Sequence, residues 1–166
     1  MVTIIYEIDS VFNMVSQETI HISDQLVADQ VMDVRLADKI PLVKDDWNEY
    51  ITLLRRSAVE ILKKIGYATE DIDYPYYVTD ETDASNPDSI IFQIALFDDA
   101  KHGVILPILQ QEMCKAIVGY IVKEWLKIKG FAQQYGIKEN DYQTALKEIK
   151  SALMYGQRGV KTYRTL

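Results

Sequence analysis

Residues 104–129 read VILPILQQEMCKAIVGYIVKEWLKIK and are followed by Gly130. Leu106, Leu109, Met113, Ala116, Ile117, Tyr120, Ile121, Trp125 and Ile128 recur at helical steps and cover more than one stripe of the helix they imply. A helix apolar over so wide an arc has to be surrounded by other elements, so the spacing predicts the central helix of a core. Pro107 has no N–H to donate and belongs in a first turn, which puts the start of this helix close to Gly103. Cys114, the only cysteine, lies inside the same run. It has no second thiol for a disulfide or a metal site, and its apolar neighbours predict a buried, inert thiol.

Two further helices flank this one in sequence. Asp46 with Glu49 three residues on reads as a capping box, followed by Trp47, Ile51, Leu54, Ala58, Ile61, Leu62 and Ile65 at helical spacing and stopped by Gly66. The other face of that helix, Arg55, Arg56, Glu60, Lys63 and Lys64, is solvated or turned to a partner. The last helix is expected to begin with Asn140 as cap and Gln143 at the box position. It continues through Tyr142, Ala145, Leu146, Ile149 and Leu153 and ends at Gly156.

Between the first two helices the period changes. Residues 74–79 (YPYYVT) and 89–97 (SIIFQIALF) are rich in aromatic and β-branched side chains and flank the turn-forming stretch 80–88 (DETDASNPD). This predicts a β-hairpin with a long acidic tip. Ile91, Gln93, Ala95 and Phe97 share one face and Ile90, Phe92, Ile94 and Leu96 the other, so both faces are apolar and both require cover. A strand at residues 2–8 can join the hairpin, and residues 10–15 and 25–36 read as short helices.

The expected fold class is therefore α+β, mainly α: a helix bundle with an inserted β-hairpin at about 74–97 and an extended C-terminal tail. At 166 residues one core is expected, giving a single domain over residues 1–155 and a basic arm over 156–166. Hydrophobic residues at 48% and charged residues at 26% are ordinary for a folded chain. Residues 1–10 (MVTIIYEIDS) lack a basic segment and a small-residue cleavage site, and no apolar run reaches the ~18 residues that span a bilayer. The expectation is a cytoplasmic product with no membrane partner.

Charge comes in blocks on a chain of net −7. Residues 1–50 carry −7, 51–66 carry +3, 67–100 hold nine acids and no base, and 101–129 carry +3. Unlike faces on one molecule favour head-to-tail contacts with copies of itself or with a complementary partner. The last seventeen residues bear Lys150, Arg158, Lys161 and Arg164 and no carboxylate. Gly156 and Gly159 deny that segment a helix of its own, and Tyr155 and Tyr163 add broad contact area with a polar tip. Tyr155, Arg158, Lys161, Tyr163 and Arg164 are therefore the candidate protein-interaction residues.

No stretch names a reaction. His21 and His102 lack the spacing of a metal pair. Asp80, Glu81, Asp83 and Asp88 lack the alternating spacing and mid-loop glycine of a calcium loop, and read as a solvated tip. Asp98 and Asp99 precede the central helix, where carboxylates favour the positive end of its dipole. No phosphate-binding loop or dinucleotide fingerprint is present. No cofactor, metal or catalytic residue is expected, and the chain reads as a non-enzyme.

The order of elements resembles the head–tail connector, or neck, proteins of tailed bacteriophages. The similar parts are the helix DDWNEYITLLRRSAVEILKKIG, the aromatic strand followed by IIFQIALFDD, the long helix ending IVGYIVKEWLKIKG, and the last helix DYQTALKEIKSALMYG leading into an Arg-bearing C-terminus. The resemblance covers residues 45–164 and leaves out the first forty. It implies a structural subunit of a ring, commonly of twelve copies, that joins the portal to the tail and helps enclose the DNA channel. The implied partners are the chain itself, the portal protein and adjoining neck or tail proteins, with non-specific proximity to packaged DNA, in the neck of a virion assembled in the host cytoplasm. Arg158, Lys161 and Arg164 match the arm with which such subunits reach the portal or the next ring, although GQRGVKTYRTL holds less arginine and proline than that arm usually does. Two other classes stand beside this one. A small nucleic-acid-binding regulator would use the tail with Arg55, Arg56, Lys63 and Lys64 on phosphates, against a net charge of −7. A hydrolase would need two carboxylates brought together from distant parts of the chain.

Overall fold

The computed structural model describes residues 2–65, 76–79, 88–94 and 102–157, with the backbone alone for 76–79, 102 and 155–157. The chain is mainly helical with a small antiparallel sheet, the expected class. Strand β1 (Val2–Glu7) runs directly into helix α1 (Ile8–Ala28), followed by the short α2 (Val34–Ala37), a 3-10 turn (Lys44–Asp46) and α3 (Trp47–Ile65). The hairpin strands β2 (Tyr76–Thr79) and β3 (Ser89–Ile94) lead on to α4 (His102–Ile128) and α5 (Ala132–Gln157).

α4 is the central helix, packed on α5, α3, α1 and β1. Ile105, Leu109, Met113, Ala116, Ile117, Ile121, Val122, Trp125 and Leu126 are all closed to solvent. By length and a mean hydropathy of 1.2 this helix passes for a membrane span, contrary to the sequence expectation, but its apolar arc is spent on the bundle. Ile128 is 57% exposed, so the apolar arc stops one turn earlier than expected. Pro107 falls in the second turn, because the helix starts at His102; its ring removes the N–H that would have bonded the Gly103 carbonyl.

The sheet places β3 between β1 and β2, antiparallel to both, so the strand expected at the N-terminus does join the hairpin. Pairing sets Val2 against Ile94, Ile4 against Phe92 and Tyr6 against Ile90. That face is buried against the helices, whereas on the opposite face Ile5 remains 57% exposed. Residues 80–87 of the acidic tip and 95–101, with Asp98 and Asp99, lie outside the described residues. The strand-to-helix joint is tied to the hairpin, since the Ile8 N–H donates to the Asp88 carbonyl at 3.0 Å and the Tyr50 hydroxyl donates to the Ile8 carbonyl at 2.8 Å.

Three expectations are corrected. The two short helices at 10–15 and 25–36 are replaced by one 21-residue helix and a single turn. Thr19 and Ser23 occupy buried positions of α1, which breaks its apolar pattern. Their hydroxyls, with Ser16, hold the following loop: Ser23 Oγ donates to the Ala37 carbonyl, Ser16 Oγ to the Leu42 carbonyl, and Thr19 Oγ1 accepts the Leu42 N–H at 3.0 Å. Trp125 Nε1 closes the same loop on the Ile40 carbonyl at 2.7 Å. Second, Asp46 does not cap with Glu49; its carboxylate reaches back to accept the Val43 N–H at 3.2 Å. Third, α5 begins at Ala132 instead of Asn140, which is an interior residue whose carbonyl accepts from Thr144.

The α4–α5 connection explains that third difference. Gly130, at φ 85°, closes α4 with the Gly130 N–H on the Lys127 carbonyl and the Phe131 N–H on the Leu126 carbonyl. This is the paired-bond helix stop that glycine favours, and it turns the chain straight into a second long helix. α1 ends in the same pattern at Gln30, φ 56°, with Gln30 N–H on Val27 and Val31 N–H on Leu26. A side chain in that left-handed position gives the sequence no visible stop.

Candidate functional site

α1 and α5 flank α4 on one side of the bundle and leave an open trough of about 940 Å³ between them. α4 supplies its floor through Cys114, Val118, Gly119 and Val122 at successive turns, and Ala145 of α5 and Met14 of α1 complete the apolar lining. The rim is polar: Gln17, Glu18 and His21 on α1, Glu112 and Lys115 on α4, Lys138, Asp141 and Thr144 on α5. These positions follow from helical spacing, since Met14, Gln17, Glu18 and His21 fall on the face of α1 opposite its buried stripe. At Gly119 the floor meets the wall closely: an added Cβ would lie 3.6 Å from the Tyr142 backbone, in ordinary van der Waals contact.

Lys138 spans the trough. Its ammonium pairs with Glu18 of α1 and, at 3.2 Å, with Asp141 of its own helix. Burial lowers the Lys138 pKa, but the hydrogen bond and charge of Glu18, then those of Asp141, outweigh it and hold the group above its ordinary value. Lys115 pairs with Glu112 at 2.7 Å on the rim. At the floor, Cys114 Sγ lies 3.7 Å from Met14 Sδ. Burial pushes the Cys114 thiol up, so at neutral pH it stays protonated and is a poor nucleophile. The expected inert thiol agrees with this direction, but the side chain is only partly buried and faces the trough.

Beyond the trough, α4 and α5 enclose a lysine. Lys123 is 7% exposed, its ammonium 2.7 Å from Glu139 and 3.3 Å from Glu124, and 4.9 Å and 4.8 Å from the ring centres of Tyr120 and Tyr142. Burial opposes the charge, yet Glu139 and then Glu124 raise the Lys123 pKa above its ordinary value. Burial likewise opposes ionisation of Glu139, but the Lys123 and Gln143 hydrogen bonds lower its pKa overall. Both ends of the pair therefore stay ionised through the neutral range, and the cluster fastens α4 to α5.

The cations of α3 remain on one face: Arg55, Arg56, Lys63 and Lys64 are exposed, and the two arginines border a shallow hollow with Val59, Glu60 and Tyr120. Among the candidate interaction residues, Tyr155 sits in the last turn of α5, and α5 extends two residues into the arm expected to start at 156. Arg158, Lys161, Tyr163 and Arg164 lie outside the described residues, and of His102 only the backbone is described. His21 and Cys114, which look unrelated in sequence, border one trough. The trough is not visible in the sequence because three helices each supply a few residues to it, and buried Thr19 and Ser23 break the apolar pattern of one of them, α1. Among the described residues no group of three or more His, Cys, Asp or Glu side chains converges in a way that could hold a metal ion. An apolar floor under a charged rim suits the binding of a polypeptide segment better than bond-making at a reacting atom. Comparison of the chain with protein-family models, with curated proteins and with solved structures returns no match.

Proposed function

We propose that this protein is a structural subunit that assembles with copies of itself into a ring, in the manner of a phage head–tail connector joining portal to tail around the DNA channel. The observation that carries this reading is the trough between α1 and α5: an apolar floor of Val118, Gly119 and Val122 under a rim of paired charges, open along its length. Apolar exposure elsewhere adds to it. Val31, Val34 and Leu36 are 60%, 56% and 51% exposed within six residues, and Ile5 is open on the outer sheet face. A receptor on one side and unlike apolar patches on others are what a heterologous interface requires, and such interfaces close into rings when the rotation allows. The acidic balance suits a conduit, because a wall that does not bind phosphate lets DNA slide. In this reading the C-terminal arm, with Tyr155, Arg158, Lys161, Tyr163 and Arg164, engages a neighbouring protein of the assembly.

Light scattering on the purified full chain, with electron microscopy of its particles, alone and with the portal protein of the same phage, tests the proposal. Rings of uniform size, alone or on the portal, are the expected result. A strict monomer in both settings overturns it. Submicromolar binding of duplex DNA at physiological salt, with a steep salt slope, would transfer the reading to a nucleic-acid regulator acting through the exposed cations of α3.

A further inference from the structure

Away from its buried stripe, α3 carries two adjacent rows of side chains at steps of four residues: Arg55, Val59 and Lys63 in one, Arg56, Glu60 and Lys64 in the other. The four cations are exposed, Val59 is 48% exposed, and residues 51–66 carry +3 with Glu60 counted. Lys115, Lys123 and Lys138 on the neighbouring helices each hold a carboxylate. Arg55, Arg56, Lys63 and Lys64 hold none among the described residues. The two arginines border a hollow of about 430 Å³ with Val59, Glu60 and Tyr120. Tyr120 is 8% exposed, and its hydroxyl has no hydrogen-bond partner among the described residues. Two guanidiniums and a phenolic O–H without a protein acceptor suit a carboxylate, which an arginine pairs with both oxygens and a hydroxyl bonds a third time.

We infer that the exposed cationic face of α3 receives the acidic connection between β2 and β3 of a second copy, residues 80–88 (DETDASNPD), with a carboxylate of Asp80, Glu81 or Asp83 at the Arg55/Arg56/Tyr120 hollow. This rests on the assembly reading above and gives that assembly one of its contacts. Charge complementarity names the occupant. Residues 67–100 hold nine acids and no base, and Asp80, Glu81 and Asp83 place three carboxylates within four residues, equal to the net charge of the α3 segment. Duplex DNA offers the same sign of charge but has to approach a chain of net −7. Within one chain the connection starts on the far side of α3. The Asp88 carbonyl accepts the Ile8 N–H, and the Ile8 carbonyl accepts the Tyr50 hydroxyl. Tyr50 is fully buried and stands nine residues before Val59, half a turn round the helix at 3.6 residues per turn, so α3 itself lies between that root and the cations. A second copy meets the exposed face directly. Each copy then presents one cationic face and one acidic connection, a heterologous pair that repeats from copy to copy around a ring.

Charge exchange tests the contact, read by light scattering on full chains in the setting where the wild type assembles, alone or on the portal. Arg55→Glu with Arg56→Glu makes both elements of the contact acidic, and Asp80→Lys with Glu81→Lys and Asp83→Lys makes both basic. Each variant alone is expected to need a concentration about tenfold higher or more to assemble, and an equal mixture of the two to recover assembly, because each then meets a face of opposite sign on the other. Recovery on mixing reads a contact between chains, since neither variant can pair its own two elements. Arg55→Gln with Arg56→Gln removes the charges at exposed positions without adding like ones; it is expected to weaken assembly several-fold at an unchanged Tm, as high salt does for the wild type. The inference is overturned if this neutral variant assembles as the wild type does, if the two reversed variants, each folded by circular dichroism, stay apart when mixed, or if the arginines matter only for binding a short DNA duplex. Wild-type multimers indifferent to all of these changes sink the docking inference alone, and wild-type monomers in both settings sink the assembly reading as well.

Discussion

Replacing Lys123 with methionine keeps most of the side-chain volume and removes the charge from the α4–α5 cluster. At an effective dielectric of about 20, a charge pair near 4 Å is worth ~4 kcal/mol of attraction before desolvation is subtracted. Breaking one partner of a fully buried pair costs about 3–5 kcal/mol. Glu139 is 30% exposed and keeps its bond from Gln143 at 2.6 Å, so part of that loss is recovered by water and by the amide. Contacts of the ammonium with the Tyr120 and Tyr142 rings add back roughly 0.5–1 kcal/mol. A net destabilisation of about 2–3 kcal/mol is expected for Lys123→Met, a fall in Tm of roughly 5–10 °C at this chain length. Urea unfolding of wild type, Lys123→Met, Glu139→Gln and the double variant gives the coupling energy directly. The pKa directions add a second readout. Glu139 is held below its ordinary 4.5, so its contribution is present above that pH and is lost as pH falls through the lower folded value. Lys123 is held above 10.5, so its contribution is complete below that pH and is lost only as pH rises through the folded value. The stability difference between wild type and Lys123→Met should therefore be flat from about pH 5 to 10 and shrink below pH 4.5. A coupling energy under about 0.5 kcal/mol, or a difference that does not change on acidification, would refute the reasoning. Tyr142→Phe serves as the control: its buried hydroxyl has no hydrogen-bond partner among the described residues, so losing it while keeping the ring should be neutral or slightly stabilising.

Two further outcomes follow from the backbone. Gln30→Gly should stabilise the chain by about 1 kcal/mol and Gly130→Ala should destabilise it by a similar amount, because both sites hold left-handed helix stops and no atom lies within 4 Å of a Cβ built at Gly130; thermal melts of the two variants should shift in opposite directions. Thr19→Val keeps the shape but leaves the buried Leu42 N–H without its acceptor, a loss of about 1–3 kcal/mol by urea titration, whereas Thr19→Ser keeps the bond and should lose about 1 kcal/mol or less.

The bundle and hairpin were legible because their signals are local. Helical spacing in α3 and α4 and alternation in β3 are properties of a dozen residues or fewer, and burial follows them at Leu54, Ile61, Ile117 and Phe92. α1 was hidden by the same logic: Thr19 and Ser23 stand at core positions, where their hydroxyls are satisfied by backbone groups fourteen to twenty-three residues away that no local pattern can show. The start of α5 was misplaced because Asn140 and Gln143 imitate a cap, while the real boundary is Gly130. Neither Cys114 nor His21 announced the trough, since each is an isolated residue until α4 is laid between α1 and α5.

By itself the amino-acid order determined that this chain folds around one long apolar helix, carries a short antiparallel sheet and ends in cations, because periodicity and charge are written residue by residue. Only the tertiary structure decided which hydroxyls tie the loop after α2, that Lys123 is enclosed between two acids and aromatic rings, and that three helices leave an open trough with Cys114 on its floor. Those features arise from groups far apart in the chain, and their energies exist only once burial has removed water from between them.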